Sequence, residues 1–258
     1  MNERVVDVSH HNGDIDFKAI KSAGVYGVII HAGFGKYASQ KDKTFEQNYE
    51  RAKAAGLKVG AFWYSYAYNT AEAEQEAMTF LDVIRGKCFE LPVYYDVEED
   101  KHMSLGKAKV SAIIKIFCDT VEKAGYFVGV YSADSWFKDY IDDDVKRRYT
   151  CWVAHVENVK PKFISKYDMW QYTFKATFPN NTQIIKGKTT KTPFDCSYLY
   201  KDFESIIKAK NLNGYAQNKT YEITAFIKTS SETTAQKTII SCKELGMTVI
   251  KREVCEQT

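Results

Sequence analysis

Two kinds of hydrophobic pattern alternate along residues 4–210. Short runs rich in β-branched and aromatic residues are separated by stretches in which apolar residues return every three or four positions. The first kind predicts strands and the second helices. Strands are expected at Val5–Ser9, Tyr26–Ala32, Val59–Tyr66, Leu91–Glu98, Phe127–Ser132, Cys151–Val156 and Met169–Tyr172, with a final one ending near Asp195. One intervening helix carries Phe45, Asn48, Tyr49, Ala52 and Ala55 on a single face, and Gly56 is its left-handed stop. A second is capped by Asn69 or Thr70 and buries Ala73, Ala77, Phe80, Leu81 and Ile84. A third opens at Ser104, turns Val110, Ile113, Ile114, Phe117 and Val121 inward, and stops before Gly125. This alternation predicts an α/β fold with a parallel sheet wrapped by helices. Eight strands in about 200 residues predict an irregular, TIM-like (β/α)-barrel with fewer helices than strands. An open doubly wound sheet is the alternative.

The pattern changes at Asn211–Lys219, a polar stretch read as a linker between a domain at 1–210 and a small unit at 220–258. That unit predicts a strand (Tyr221–Lys228), a helix (Ser231–Leu245) and a strand (Met247–Val254). Two parallel strands leave both sheet edges open, which folded proteins usually avoid. The unit is therefore expected to pair with a second copy, making a homodimer; packing back on the barrel is the alternative.

Composition narrows the class. With 45% hydrophobic and 27% charged residues, 14 Gly and 4 Pro, the chain is neither disordered nor fibrous. A net charge of +3 is too balanced for a dedicated nucleic-acid binder. No run reaches the ~18–20 apolar residues of a membrane span. The N-terminus shows no apolar secretory segment, so release from the cytoplasm, or secretion with a trimmed leader, is expected. The six cysteines form no CxxC pair, so most are expected as buried small hydrophobes; only Cys242 and Cys255 are near enough to suggest a local disulfide. The five histidines lack ligand spacing, so neither metal nor cofactor is expected.

The candidate chemistry lies in Leu91-Pro-Val-Tyr-Tyr-Asp-Val-Glu-Glu-Asp100. Side chains of a strand alternate, so Tyr94, Asp96 and Glu98 share one face and Val93, Tyr95 and Val97 the other. In a barrel the Tyr/Asp/Glu face looks inward. The two carboxylates then sit roughly 6.6 Å apart at Cα, two strand rises, near the rim where barrel enzymes keep their chemistry. Paired inward acids in an aromatic setting suggest glycoside hydrolysis, in which one acid protonates the leaving oxygen. Asp7 is a further inward acid, on the first strand among valines, and Asp195 lies on the last, which neighbours the first in a closed barrel. Tyr64, Tyr66, Tyr131, Trp152, Trp170 and Gln171 cluster near predicted strand ends, and about half of these aromatics are expected to be core.

Several segments together carry a resemblance. They are Asp7-Val-Ser, Lys41-Asp-Lys-Thr-Phe-Glu-Gln-Asn-Tyr, Gly60-Ala-Phe-Trp-Tyr-Ser-Tyr-Ala, Asp96-Val-Glu98, Tyr131-Ser132, Trp152-Val-Ala154, Met169-Trp-Gln-Tyr172 and Phe194-Asp195. Over residues 4–207 the chain resembles glycoside hydrolase family 25, the lysozymes (N-acetylmuramidases) of phage endolysins and bacterial autolysins. The resemblance implies hydrolysis of the β-1,4 bond between N-acetylmuramic acid and N-acetylglucosamine in cell-wall peptidoglycan. It implies Glu98 as general acid, Asp96 assisting the substrate's acetamido group, and Asp7 and Asp195 as supporting carboxylates. Two positions depart from the family pattern: His31 stands where Arg is usual, and Ser197 where Asn usually follows the last Asp. The competing readings are a barrel that binds wall glycan without cutting it and a hydrolase of another N-acetylated glycan such as chitin. The C-terminal unit resembles half of the sporulation-related (SPOR) peptidoglycan-binding fold, which implies wall binding. Between Lys160 and Lys191 there are seven Lys and one Asp, a solvated face or a surface for anionic wall polymers.

Overall fold

A computed structural model describes residues 3–156, 159–179, 183–185, 187–215 and 231–244. They fall into two compact units, Met1–Gln217 and Asn218–Thr258. The strands are β1 (Glu3–Val8), β2 (Asp14–Ile15), β3 (Gly27–Phe34), β4 (Lys58–Tyr64), β5 (Val93–Asp96) and β6 (Val128–Ala133), then β7 (Thr150–Ala154), β8 (Met169–Ala176), β9 (Gln183–Ile185), β10 (Lys188–Thr190) and β11 (Phe194–Leu199). The helices are α1 (Phe17–Ser22), α2 (Phe45–Ala54), α3 (Thr70–Ile84), α4 (Lys107–Lys123), α5 (Asp134–Asp139), α6 (Asp143–Arg148), α7 (Phe203–Ala209) and α8 (Glu232–Glu244).

Eight strands close a barrel in the order β1-β11-β8-β7-β6-β5-β4-β3, and β10-β9-β2 form a small separate sheet. The barrel is mixed, whereas alternation along the sequence predicts a wholly parallel one. β11 starts at Phe194, where the expected strand was to end, and runs antiparallel to both β1 and β8. The cause is the connection after β8. It holds the β9–β10 hairpin in place of a helix, and parallel pairing needs a crossover long enough to carry the chain back. Reversal of β11 puts its first residues, not its last, at the rim where the parallel strands end.

Alternation sorts the core into two layers. Val5, Ile29, Leu91, Tyr94, Trp152 and Met169 fill the barrel interior, while Val6, Val8, Ile30, Val93, Tyr95 and Val153 meet the helices. In α2, Phe45, Asn48, Tyr49 and Ala52 are buried as the spacing predicts, and Asn69 caps α3 by accepting the Glu72 N–H at 3.0 Å. Helix α4 begins at Lys107, not at Ser104. Ser104 sits in a 3-10 turn and bonds the Lys101 carbonyl, and Gly106, at φ +75°, separates turn from helix.

The stretch read as a linker from Asn211 belongs to the barrel through Tyr215. Asn213 is fully buried; its amide donates to the Leu91 carbonyl at 2.9 Å and accepts the Phe127 N–H at 2.6 Å, tying it beneath β5 and β6. Cys118, Cys151 and Cys196 are buried thiols, and Cys88 and Cys242 are half-buried. The expected strands Tyr221–Lys228 and Met247–Val254, and Cys255, lie outside the described residues.

Candidate active site

The barrel mouth gathers the acids through register. β1 and β11 pair so that Asp7 faces Asp195, and β5 places Asp96 between Tyr64 of β4 and Tyr131 of β6. Glu98 follows two residues after Asp96, where β5 has just ended. Asp7, Asp96, Glu98 and Asp195 line one cleft of about 230 Å³ together with Ser9, His11, His31, Phe62, Tyr131, Trp152 and Gln171. No lysine or arginine is among these lining residues.

Hydrogen bonds brace the floor. Tyr131 donates its hydroxyl to Gln171 Oε1 at 2.7 Å, and Gln171 Nε2 donates to Asp7 Oδ2 at 2.9 Å. Trp152 donates its indole N–H to Ser197 Oγ at 3.0 Å and packs against Tyr131, Tyr94 and Phe62. Ser197 is thus the acceptor for the Trp152 indole. Asp96 Oδ1 has no protein partner.

Burial raises every one of these acids, and repulsion from neighbouring carboxylates adds to it at Asp7, Asp96 and Glu98. Asp7 is pushed well up by burial, then by the charges of Asp195 and Glu98, against the opposing hydrogen bond from Gln171. Asp96 is pushed well up by burial, then by Glu98 and Asp7. Glu98 rises through burial and the charges of Asp195 and Asp100, and burial brings Asp195 to about 6. Like charges crowded into a half-buried cleft cannot all ionise together, so the set holds protons at pH values where an exposed carboxyl has none.

Residues 6–181 match the profile of glycosyl hydrolases family 25. The chain belongs to that family. It is 32% identical over 171 residues to the autolytic lysozyme of Clostridium acetobutylicum, which covers 65% of this chain and 49% of that protein. The chain therefore spans about half the length of that curated relative. Among solved structures, the CTP1L endolysin matches with a TM-score of 0.67 at 27% identity, over 80% of this chain and 70% of the endolysin. The modular autolysin LytC from Streptococcus pneumoniae, in complex with a synthetic peptidoglycan ligand, matches with a TM-score of 0.64 at 29% identity, over 77% of this chain and 46% of LytC.

Of the expected contact residues, the family 25 cleft takes in Tyr131, Trp152, Gln171 and His31. Tyr64 stands half-buried beside it; burial and then the charges of Asp96 and Glu98 push its hydroxyl up. Tyr66 is at the rim, 42% exposed, its ring tilted against that of Tyr64 with centroids 5.1 Å apart. Trp170 is not in the cleft. It packs outward on Tyr172 and Tyr198 and gives its indole N–H to the His155 carbonyl. Neighbours on a strand face opposite ways, so with Gln171 inward Trp170 is outward. Sequence reasoning missed Ser9, His11 and Phe62. Phe62 was legible, because it shares a face of β4 with Tyr64; Ser9 and His11 sit in a turn with no period to place them.

Proposed function

We propose that the chain is a muramidase, hydrolysing the β-1,4 bond between N-acetylmuramic acid and N-acetylglucosamine of bacterial peptidoglycan and acting at the cell wall. The observation that carries this reading is the convergence of four acids, Asp7, Asp96, Glu98 and Asp195, on one aromatic cleft without a lysine or arginine in its lining. Such a cleft keeps a carboxylic acid protonated near neutrality, which glycosidic cleavage requires. Glu98 is the general acid: it is the half-buried one of the Asp96 and Glu98 pair, open to a glycosidic oxygen, and its proton is held by burial and neighbouring charge. Asp96, 4% exposed and with Oδ1 unbonded, receives the substrate's 2-acetamido group and orients its carbonyl oxygen toward the anomeric carbon. Attack by that oxygen breaks the bond as Glu98 delivers its proton to the leaving sugar. Water then opens the cyclic intermediate with Glu98 taking a proton back, so the product keeps the β-configuration. Asp195, ionised above about 6, stabilises the positive charge that develops on the sugar, and Asp7, held by Gln171, braces the floor beneath it. Phe62, Tyr131 and Trp152, with Tyr64 and Tyr66 outside them, supply ring faces for a glycan chain. The named relatives, an autolytic lysozyme, an endolysin and a peptidoglycan-bound autolysin, support the substrate class.

The test is Glu98→Gln on purified cell walls, with folding followed by circular dichroism. Lysis is expected to fall by ~10²–10⁴ with the fold unchanged, the usual worth of general acid catalysis. A loss under about tenfold overturns the assignment. Borohydride reduction of the products is expected to give reduced muramic acid at the new ends; reduced glucosamine ends overturn the bond assignment. The α-anomer as first product replaces acetamido attack with direct attack by water.

A further inference from the structure

His31 carries an arrangement that the catalytic acids do not need. Alternation on β3 sends Ile29 inward and Ile30 outward, so His31 faces the mouth, where its ring lies 4.8 Å from that of Phe62. Its Nδ1 is 2.8 Å from Oδ2 of Asp42, a carboxylate on the loop between β3 and α2 whose side chain is wholly buried. The same Oδ2 meets Nδ1 of His10 at 2.8 Å and the His10 backbone N–H at 3.1 Å. Oδ1 accepts the Thr44 backbone N–H and hydroxyl, both at 2.8 Å. Burial raises the Asp42 carboxyl, but the bonds from His31, Thr44 and His10 outweigh it and hold the group below the ordinary carboxylate range. An ionised carboxylate only accepts, so each imidazole must carry its proton on Nδ1. A His31 ring that carries this one proton keeps a lone pair on Nε2, which has no protein hydrogen-bond partner among the described residues.

We propose that Asp42 is a positioning residue of the cleft: it fixes His31 as the Nδ1–H tautomer, so that Nε2 accepts a hydrogen bond from a sugar hydroxyl or acetamido N–H of the bound glycan. The inference rests on the muramidase reading for the identity of the glycan, not for the tautomer. It also gives a consequence to the departure from the family pattern. An arginine at this position offers only donors, whereas His31 offers an acceptor, so the cleft meets a different edge of the sugar.

Long-range ¹H–¹⁵N spectra of the full labelled chain at about pH 8 test this directly, with His31→Gln to assign the signals. In wild type, His31 is expected to show a protonated Nδ1 and an unprotonated Nε2. Adding oligomers of N-acetylglucosamine should move the Nε2 resonance. Asp42→Asn turns an amide N–H toward the ring, so the proton should shift to Nε2, and KM for a soluble glycan should rise about tenfold with kcat little changed, roughly the worth of one hydrogen bond. His31→Phe should match that KM, while His31→Gln, which can still present an acceptor oxygen, recovers part of it. A wild-type Nε2–H, or an Nε2 resonance indifferent to glycan, overturns the proposal. So does tight uptake of one zinc ion by wild type, because His10, His31 and Asp42 also converge within metal-ligand reach and a metal on Nδ1 would force the proton to Nε2. If borohydride reduction finds glucosamine rather than muramic acid at the new ends while the tautomer and the glycan shift persist, the muramidase reading fails and this one stands.

Discussion

Asp96 is where the proposed catalysis and stability pull in opposite directions. Its carboxyl is 4% exposed, one oxygen is unbonded, and burial together with the charges of Glu98 and Asp7 pushes it well above the ordinary range. A carboxyl raised on folding binds more protons in the native than in the unfolded chain. Its ionisation therefore costs stability as pH climbs above the unfolded value near 4, and costs nothing below it. An amide of the same shape escapes that cost. Asp96→Asn is expected to lose at least ~10² of lytic activity and yet to melt above wild type at pH 8, by about 2–4 °C for each kcal/mol recovered. At pH 4 the advantage should vanish. Scanning calorimetry at the two pH values checks this; a variant that melts lower at both would mean that Asp96 holds the barrel together.

A second buried acid joins elements rather than lining the cleft. Glu76 of α3 is 1% exposed, accepts the Tyr95 hydroxyl of β5 at 2.6 Å, and accepts the Tyr66 backbone N–H just past β4 at 2.8 Å. Burial brings it to about 7, against the opposing hydrogen bonds from Tyr95, Tyr66 and Ser65. Raised from near 4.5, it erodes stability as pH rises from about 4.5 through 7. Glu76→Gln can donate to the Tyr95 hydroxyl, which then turns to Ser65, so the network survives with its direction reversed. Relative to wild type, urea denaturation should find the variant gaining up to ~3 kcal/mol between pH 4.5 and pH 8, and a difference independent of pH counts against it. Glu76 was legible in the sequence as an acid at the fourth position of a stripe, between Ala73 and Ala77. The strand faces were legible too: period two on β5 separates Asp96 and Glu98 from Val93, Tyr95 and Val97, and the cleft keeps that division. What the pattern cannot carry is direction. Nothing local in Phe194–Leu199 tells whether the strand runs up or down, since that depends on the β9–β10 hairpin, which ends at Thr190 just before it and stands in place of a helix. Trp170 shows a simpler limit: closeness to a strand end groups it with Gln171, but one strand cannot send two neighbours the same way.

At the scale of the molecule, the barrel and the C-terminal unit pose different stability problems. The barrel has no open edges and two filled hydrophobic layers, one inside the strands and one under the helices. The unit Asn218–Thr258 is near the ~40 residues below which a domain rarely stands alone. Its helix α8 sets Ala235, Thr238, Ile239 and Cys242 on one half-buried stripe at i, i+3, i+4 and i+7, and leaves Ile240 48% exposed. A helix of that kind needs a partner for its stripe, and the strands that the sequence pattern predicts on either side of it would make a closed sheet only when two copies join. The full chain is therefore expected to be a dimer by light scattering at tens of micromolar, and a chain ending at Gln217 a monomer. The shortened chain keeps the whole cleft, so it should cleave soluble glycan at the wild-type rate while its retention on purified walls falls by about tenfold, through loss of paired attachment. A monomeric mass for the full chain ends the dimer, and unchanged retention after truncation ends the anchoring role, whatever the mass.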